Sequence, residues 1–117
     1  MEQVSLMELG KLAAEGQVEA EVFAQISQCA QKLTKSNKPY LDVTFADAEG
    51  TMGLKVWEDK PWFRVLASLP LRSFVSLRGQ WTKGSFGMEA ADLDVRLLEE
   101  AEKESFLAGS GTLKKKQ

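Results

Sequence analysis

Lys35, Lys38 and Tyr40 stand inside one six-residue stretch, KSNKPY, and Lys55 and Trp57 stand two apart in KVW. Arg78, Gln80 and Lys83 follow in RGQWTK. Lysine carries a compact charge on a flexible stem, and an aromatic ring offers a flat face. Together they suit an anionic polymer with planar groups: the charges track phosphates and the rings stack on unpaired bases. Other chemistries have less support. The chain has no histidine, which removes His-dependent triads, the usual general base and most zinc or iron sites. The single cysteine, Cys29, forms no internal disulfide and reads as a buried strand thiol. No phosphate loop, metal-ligand cluster or nucleophile elbow occurs, and paired carboxylates fall only in ordinary turns and helices. The expectation is a protein that is not an enzyme and uses no metal or cofactor.

A length of 117 residues suits one domain with a real core, and 44% hydrophobic residues are too many for a disordered chain. Met1 to Gly16 lacks the basic start and apolar run of a signal peptide, and no stretch is apolar enough to span a membrane. The expectation is a cytoplasmic protein with no membrane contact. Net charge is −2, yet its distribution is uneven. Lys32 to Lys83 holds nine Lys/Arg against five Asp/Glu, whereas the rest holds six against twelve. Basic charge is concentrated mid-chain, where the local field outweighs the total.

The elements that must position these residues follow from periodicity. Residues 1–17 read as an N-terminal arm or short helix, with Val4, Met7 and Lys11 to Ala14 as a weak stripe ending at Gly16. From Val18 the period becomes two, with Val18, Ala20, Val22, Ala24 and Ile26 on one side of a long first strand. The pattern slips at Gln28 to Ala30, as a bulge or bend would make it do. The loop LTKSNKP follows, with Asn37 suited to a left-handed turn position. Leu41, Val43 and Phe45 alternate in a second strand, ADAEGT turns the chain, and Met52, Leu54 and Val56 alternate in a third. Asp59 and Pro61 predict the start of a helix carrying Trp62, Val65, Leu66 and Leu69 on one stripe, stopped by Pro70. A fourth strand spans Phe74 to Trp81, and a fifth spans Phe86 to Leu97 with an irregularity at EAAD. Leu98 to Leu107 predicts a small acidic helix, and the tail that follows carries Lys114 to Lys116.

This order predicts an all-β fold with minor α: a five-stranded Greek-key OB-fold barrel over residues 18–98. One helix lies between strands three and four, short helical segments flank the barrel, and 99–117 form an acidic helix and basic tail. A half-open α+β sheet is the structural alternative. KLTKSNKPYLDVTFADAEGTMGLKVWED resembles the OB-fold nucleic-acid-binding domain of the anticodon-binding type. It looks most like the N-terminal module of YhaM-type 3′–5′ exoribonucleases and the OB domain of the DNA polymerase III α subunit. The likeness rests on Lys38-Pro39-Tyr40-Leu41, Asp47 to Gly50, Trp57-Glu58 and the later VSLRGQW. Asn37 stands where glycine is common. The histidine-dependent nuclease domain of those exoribonucleases has no counterpart here, so the resemblance implies binding without their chemistry.

In OB barrels ligands lie across strands two and three, between the loops that join strands one–two and four–five. The expected nucleic-acid-binding residues are therefore Lys35, Lys38, Tyr40, Thr44, Lys55, Trp57, Arg78, Gln80 and Lys83. The expected partner is single-stranded DNA or RNA, bound with little sequence specificity because stacking accepts every base. Each residue also has a plainer reading. Tyr40 braces the barrel rim, Trp57 packs under the helix, Arg78 pairs with an acidic neighbour, and the lysines are solvated. Trp81 and Phe86 are either core or an exposed clamp, and Trp62 reads as helix-to-core packing. Asp42 lies mid-face with the charge that repels phosphate. Glu99 to Glu104 read as a solvated helix face, and Lys114 to Lys116 as added phosphate attraction or simple solubilisation. The alternative function is a protein–protein interaction or adaptor module, or self-association, drawing on the acidic remainder and the N-terminal arm.

Overall fold

The computed structural model describes residues 1–85 and 87–109. Phe86 and Lys114 to Lys116 lie outside the described residues. The elements are β1 (Glu2–Gln3), α1 (Leu6–Ala14), β2 (Val18–Leu33), β3 (Pro39–Ala46), β4 (Thr51–Trp57), α2 (Trp62–Ser68), β5 (Phe74–Gly84), β6 (Gly87–Leu97) and α3 (Glu100–Gly109). The strand order is β4-β3-β2-β5-β6, with β1 paired to β2 off this path. β4 and β6 lie close enough to bring the ends of the sheet together, although no hydrogen-bonded ladder joins them among the described residues. This is the connectivity of an OB-fold barrel.

The long β2 makes that order feasible. Its first half, Val18 to Gln25, pairs antiparallel with β5, and its second half, from Gln25 to Leu33, pairs with β3. The register shifts between Ile26 and Gln28, slightly before the predicted slip at Gln28 to Ala30. An extra residue at that point sharpens the bend, so one strand serves two walls of the barrel. A second irregularity lies between Arg78 and Gln80, opposite the EAAD segment of β6. There Asp92 has a φ of 52°, and a Cβ on Gly79 would stand 3.0 Å from the Ala91 carbonyl oxygen. Glycine lets the two backbones meet at this bend.

Inward residues from every wall fill the core: Ala20, Val22, Ala24 and Ile26 of β2, Leu41, Val43 and Phe45 of β3, Met52, Leu54 and Val56 of β4, Val75 and Leu77 of β5, and Leu93 of β6. Trp81 resolves as core, at 0% exposure, and its indole Nε1 donates to the Ala20 carbonyl at 3.0 Å. That bond satisfies the one polar atom of a buried ring.

The N-terminal segment is a helix whose Leu6, Leu9 and Ala13 enter the same core. Ser5 caps it, its side chain accepting from the Glu8 amide. The two-residue β1, absent from the sequence reading, runs parallel to β2 and precedes Val4, whose amide donates to the Glu21 carbonyl. Met7 faces solvent rather than the core, because the buried stripe runs through Leu6 and Leu9 instead. Asp47 does more than turn the chain. One oxygen accepts from the Glu49 and Gly50 amides, and the other accepts from the Leu6 amide at 2.9 Å. The corner thereby holds the first turn of α1.

Several local expectations need correction. Pro61, not Asp59, stands at the start of α2, with no side-chain cap. Only Trp62 and Leu66 of this short helix are buried; Val65 is exposed because seven residues make too few turns to bury a wide stripe. Cys29 is half-buried rather than buried, and desolvation, with the nearby Asp42 charge, still pushes its thiol above its ordinary value. The acidic helix begins at Glu100, two residues later than predicted. Glu102 is not merely solvated: both its oxygens accept from Arg96 at 2.7 Å. Arg96 also lies 3.8 Å from Glu21, which accepts from the buried Ser76 hydroxyl at 2.6 Å. With Phe106 set edge-on to Phe74 at 5.7 Å, this network fixes α3 against β5 and β6.

Candidate nucleic-acid interface

Alternation turns Tyr40, Asp42 and Thr44 of β3 and Gly53, Lys55 and Trp57 of β4 to the outside, since their neighbours Leu41, Val43, Leu54 and Val56 fill the core. The antiparallel register then sets Tyr40 opposite Trp57, Asp42 opposite Lys55, and Thr44 opposite Gly53. Tyr40 and Trp57 meet with ring centroids 5.2 Å apart and planes tilted by 45°. Trp57 keeps 43% exposure, so it does not pack under α2. Lys55 Nζ stands 5.9 Å from the Tyr40 ring centre, within range of a cation–π contact.

The hairpin above this pair carries the two loop lysines. β2 extends to Leu33 and β3 starts at Pro39, so the connecting loop is only 34–38, shorter than LTKSNKP implied. Asn37 adopts φ 64°, the left-handed position expected of it. The Thr34 hydroxyl accepts from the Ser36 and Lys38 amides, and the Thr34 amide donates to the Lys38 carbonyl. Lys35 and Lys38 are exposed on this braced turn.

The shorter loop moves Lys32 into the ladder, where it pairs with Tyr40. Its Nζ lies 3.0 Å from Asp42 Oδ2, and this hydrogen bond with its charge holds the ammonium above its ordinary pKa. Lys32 was missed as a face residue because KLTKSNK shows no alternation. The five-residue loop around Asn37 is the signal that could have placed it, since such a loop makes Leu33 and Pro39 partners.

Two clefts run along the open side of β4 and share Leu54 and Lys55. The larger, about 400 Å³, includes Asp42, Gly53, Lys83 and Met88. The smaller, about 200 Å³, includes Trp57, Lys60, Trp62 and Glu89. Lys83, near the tip of the β5–β6 hairpin, thus joins the β3–β4 face. Lys60 joins it as well; its place in the turn before α2 gave no alternation to read.

Arg78 and Gln80 are not brought to this face. They lie on β5, which the sheet order separates from β3 by β2. Arg78 is exposed between Glu21 and Asp94 in the ladder, and Gln80 accepts from the Gln17 side chain at 2.6 Å. Thr44 is on the face, half-buried, with its carbonyl accepting from Ser27. A separate cleft of about 310 Å³ lies between the N-terminal segment, the β3–β4 corner and α3, and includes Val4, Glu8, Phe23, Glu49 and Phe106. Among the described residues, no group of three or more Cys, Asp or Glu is placed to hold a metal ion. None of the described helices is long and apolar enough to cross a membrane.

No protein-family model matches the sequence. No curated protein matches it either. Among solved structures, the second OB-fold domain of replication protein A from Methanococcus maripaludis is similar, with a TM-score of 0.47 and 13% identity over 71% of this chain and 86% of that one. The fold rests on the strand order and on the doubly paired β2.

Proposed function

We propose that the protein binds single-stranded nucleic acid, DNA or RNA, along the outer face of β3 and β4, and performs no chemistry on it. The observation that carries this reading is the ring pair: Tyr40 and Trp57 in contact at 5.2 Å, with Trp57 43% exposed beside a cleft-lining lysine. A stacked base gains about 1–3 kcal/mol from such a ring, and every base has a face to offer. Lys35 and Lys38 on one flank and Lys83 on the other supply positive charge for the backbone, with Lys55 and Lys60 between. A duplex would hide its base faces, so the rings favour a single strand.

The test is titration of fluorescent single-stranded DNA and RNA oligonucleotides at two salt concentrations. Binding that weakens with salt and quenches tryptophan emission is the expected result. Absence of binding to any oligonucleotide at low salt would sink the reading. A protein–protein adaptor role is the second reading, favoured by the acid-rimmed cleft around Glu8 and Glu49 with its apolar Val4, Phe23 and Phe106. It gains ground if oligonucleotides fail and a basic peptide binds.

A further inference from the structure

Asp42 is the residue that phosphate binding does not explain. It lies on the outer face of β3, two residues from Tyr40 and opposite Lys55. It also lines the cleft that holds Lys83. A carboxylate there repels a phosphate backbone. Its bond to Lys32 is an exposed ion pair, with side-chain exposures of 51% and 33%, and such pairs add little to stability. What the pair does achieve is orientation. Lys32 Nζ, reaching across the ladder, holds Asp42 Oδ2 at 3.0 Å.

An ionised carboxylate offers about four acceptor sites, so one lysine does not exhaust it. Same-side residues i and i+2 stand about 7 Å apart along a strand. Asp42 is therefore within reach of an edge of a base stacked on the Tyr40–Trp57 rings.

We propose that Asp42 reads that edge and biases the face toward bases carrying an exocyclic amino group. The inference rests on the single-strand reading above and adds a base preference to it. Cytosine presents its N4 amine at the outer edge, where a carboxylate accepts it. Adenine offers N6, and guanine offers adjacent N1–H and N2 donors. Thymine and uracil have one edge donor, N3–H, set between two carbonyl oxygens that repel the carboxylate. The preference is a bias laid over tolerant stacking.

Cytosine and thymine are the clean comparison, because their rings are the same size and guanine runs self-associate. The experiment measures the affinity of the full chain for fluorescent oligo-dC and oligo-dT of 12 nucleotides at neutral pH and fixed salt. Oligo-dC is expected to bind about fivefold or more tightly, the low end of what a base-edge contact supplies. Asp42→Asn, whose amide both donates and accepts, is expected to bring the two affinities within about twofold. A control on the ligand side needs no variant. Oligo-dC methylated twice at N4 has no amine hydrogen and is expected to lose the advantage with the unaltered protein.

Equal affinities in the unaltered protein overturn the base preference and leave single-strand binding standing. An oligo-dC advantage that survives both Asp42→Asn and N4 dimethylation also overturns it, by assigning the preference elsewhere. Failure of every oligonucleotide to bind overturns both the preference and the reading beneath it.

Discussion

Gly53 faces outward opposite Thr44, and a Cβ built on it meets nothing within 4 Å. A β-branched side chain suits an exposed strand position, so Gly53→Val is expected to leave the melting temperature unchanged or raise it. The same branch would stand in the path of a bound strand, and oligonucleotide affinity is expected to fall several-fold. A variant that melts normally and binds normally would show that the ligand passes elsewhere. Trp57 supports a spectroscopic prediction. Trp62 and Trp81 are buried, so Trp57→Phe is expected to remove most ligand-dependent quenching while a ring remains for stacking. Trp57→Ala should weaken binding by about 1–3 kcal/mol, read by anisotropy titration. The outward set Tyr40, Asp42, Thr44, Lys55 and Trp57 was legible because a strand repeats every two residues. The Lys32–Asp42 pair was not, since alternation assigns a face to a residue and never names its partner on the next strand.

Gly79 and Asp92 mark where β5 and β6 change register. Gly79→Ala places a methyl group against the Ala91 carbonyl and Leu93, both within 3.2 Å. It is expected to cost about 1–3 kcal/mol, read as a lower denaturation midpoint in urea with unchanged slope. Helix α3 supports a pH prediction. The bond from Arg96, aided by the Glu99 amide, lowers Glu102 from 4.5 to about 2. The docked helix therefore favours the ionised carboxylate. This contribution is complete above about pH 4.5 and is lost as pH falls toward 2. Hydrogen exchange in α3 is expected to quicken across that window in the unaltered protein relative to the barrel strands, and Glu102→Gln should remove the dependence. The strands were legible as elements because each has one buried side. The docking of α1 was not, because it depends on a two-residue parallel β1 and on Asp47 meeting the Leu6 amide 41 positions away. No local pattern encodes either. The distance of Arg78 and Gln80 from Tyr40 was not legible for a similar reason: outward orientation on a strand does not say which wall that strand forms.

At the scale of the whole molecule, charge is segregated rather than abundant. A net −2 protein binds a polyanion only through its local field, and salt should erode that field steeply. Each phosphate neutralised on a single strand adds about −0.7 to the slope of log affinity against log salt. Lys38→Ala is expected to make the slope shallower by about that amount, whatever the base sequence, and an unchanged slope would remove Lys38 from the backbone path. The shared strand β2 has a consequence in time as well as in space. Its second half meets β3 through a loop of only 34–38, and β3 meets β4 through the Asp47 corner. Its first half must wait for β5, where Trp81 reaches Ala20 from 61 residues away. Chain closure over short separations is faster and costs less entropy, so the β2–β3–β4 meander is the natural nucleus and the β5 wall the late arrival. The surface that carries Tyr40 and Trp57 is thereby expected to assemble before the barrel shuts behind it.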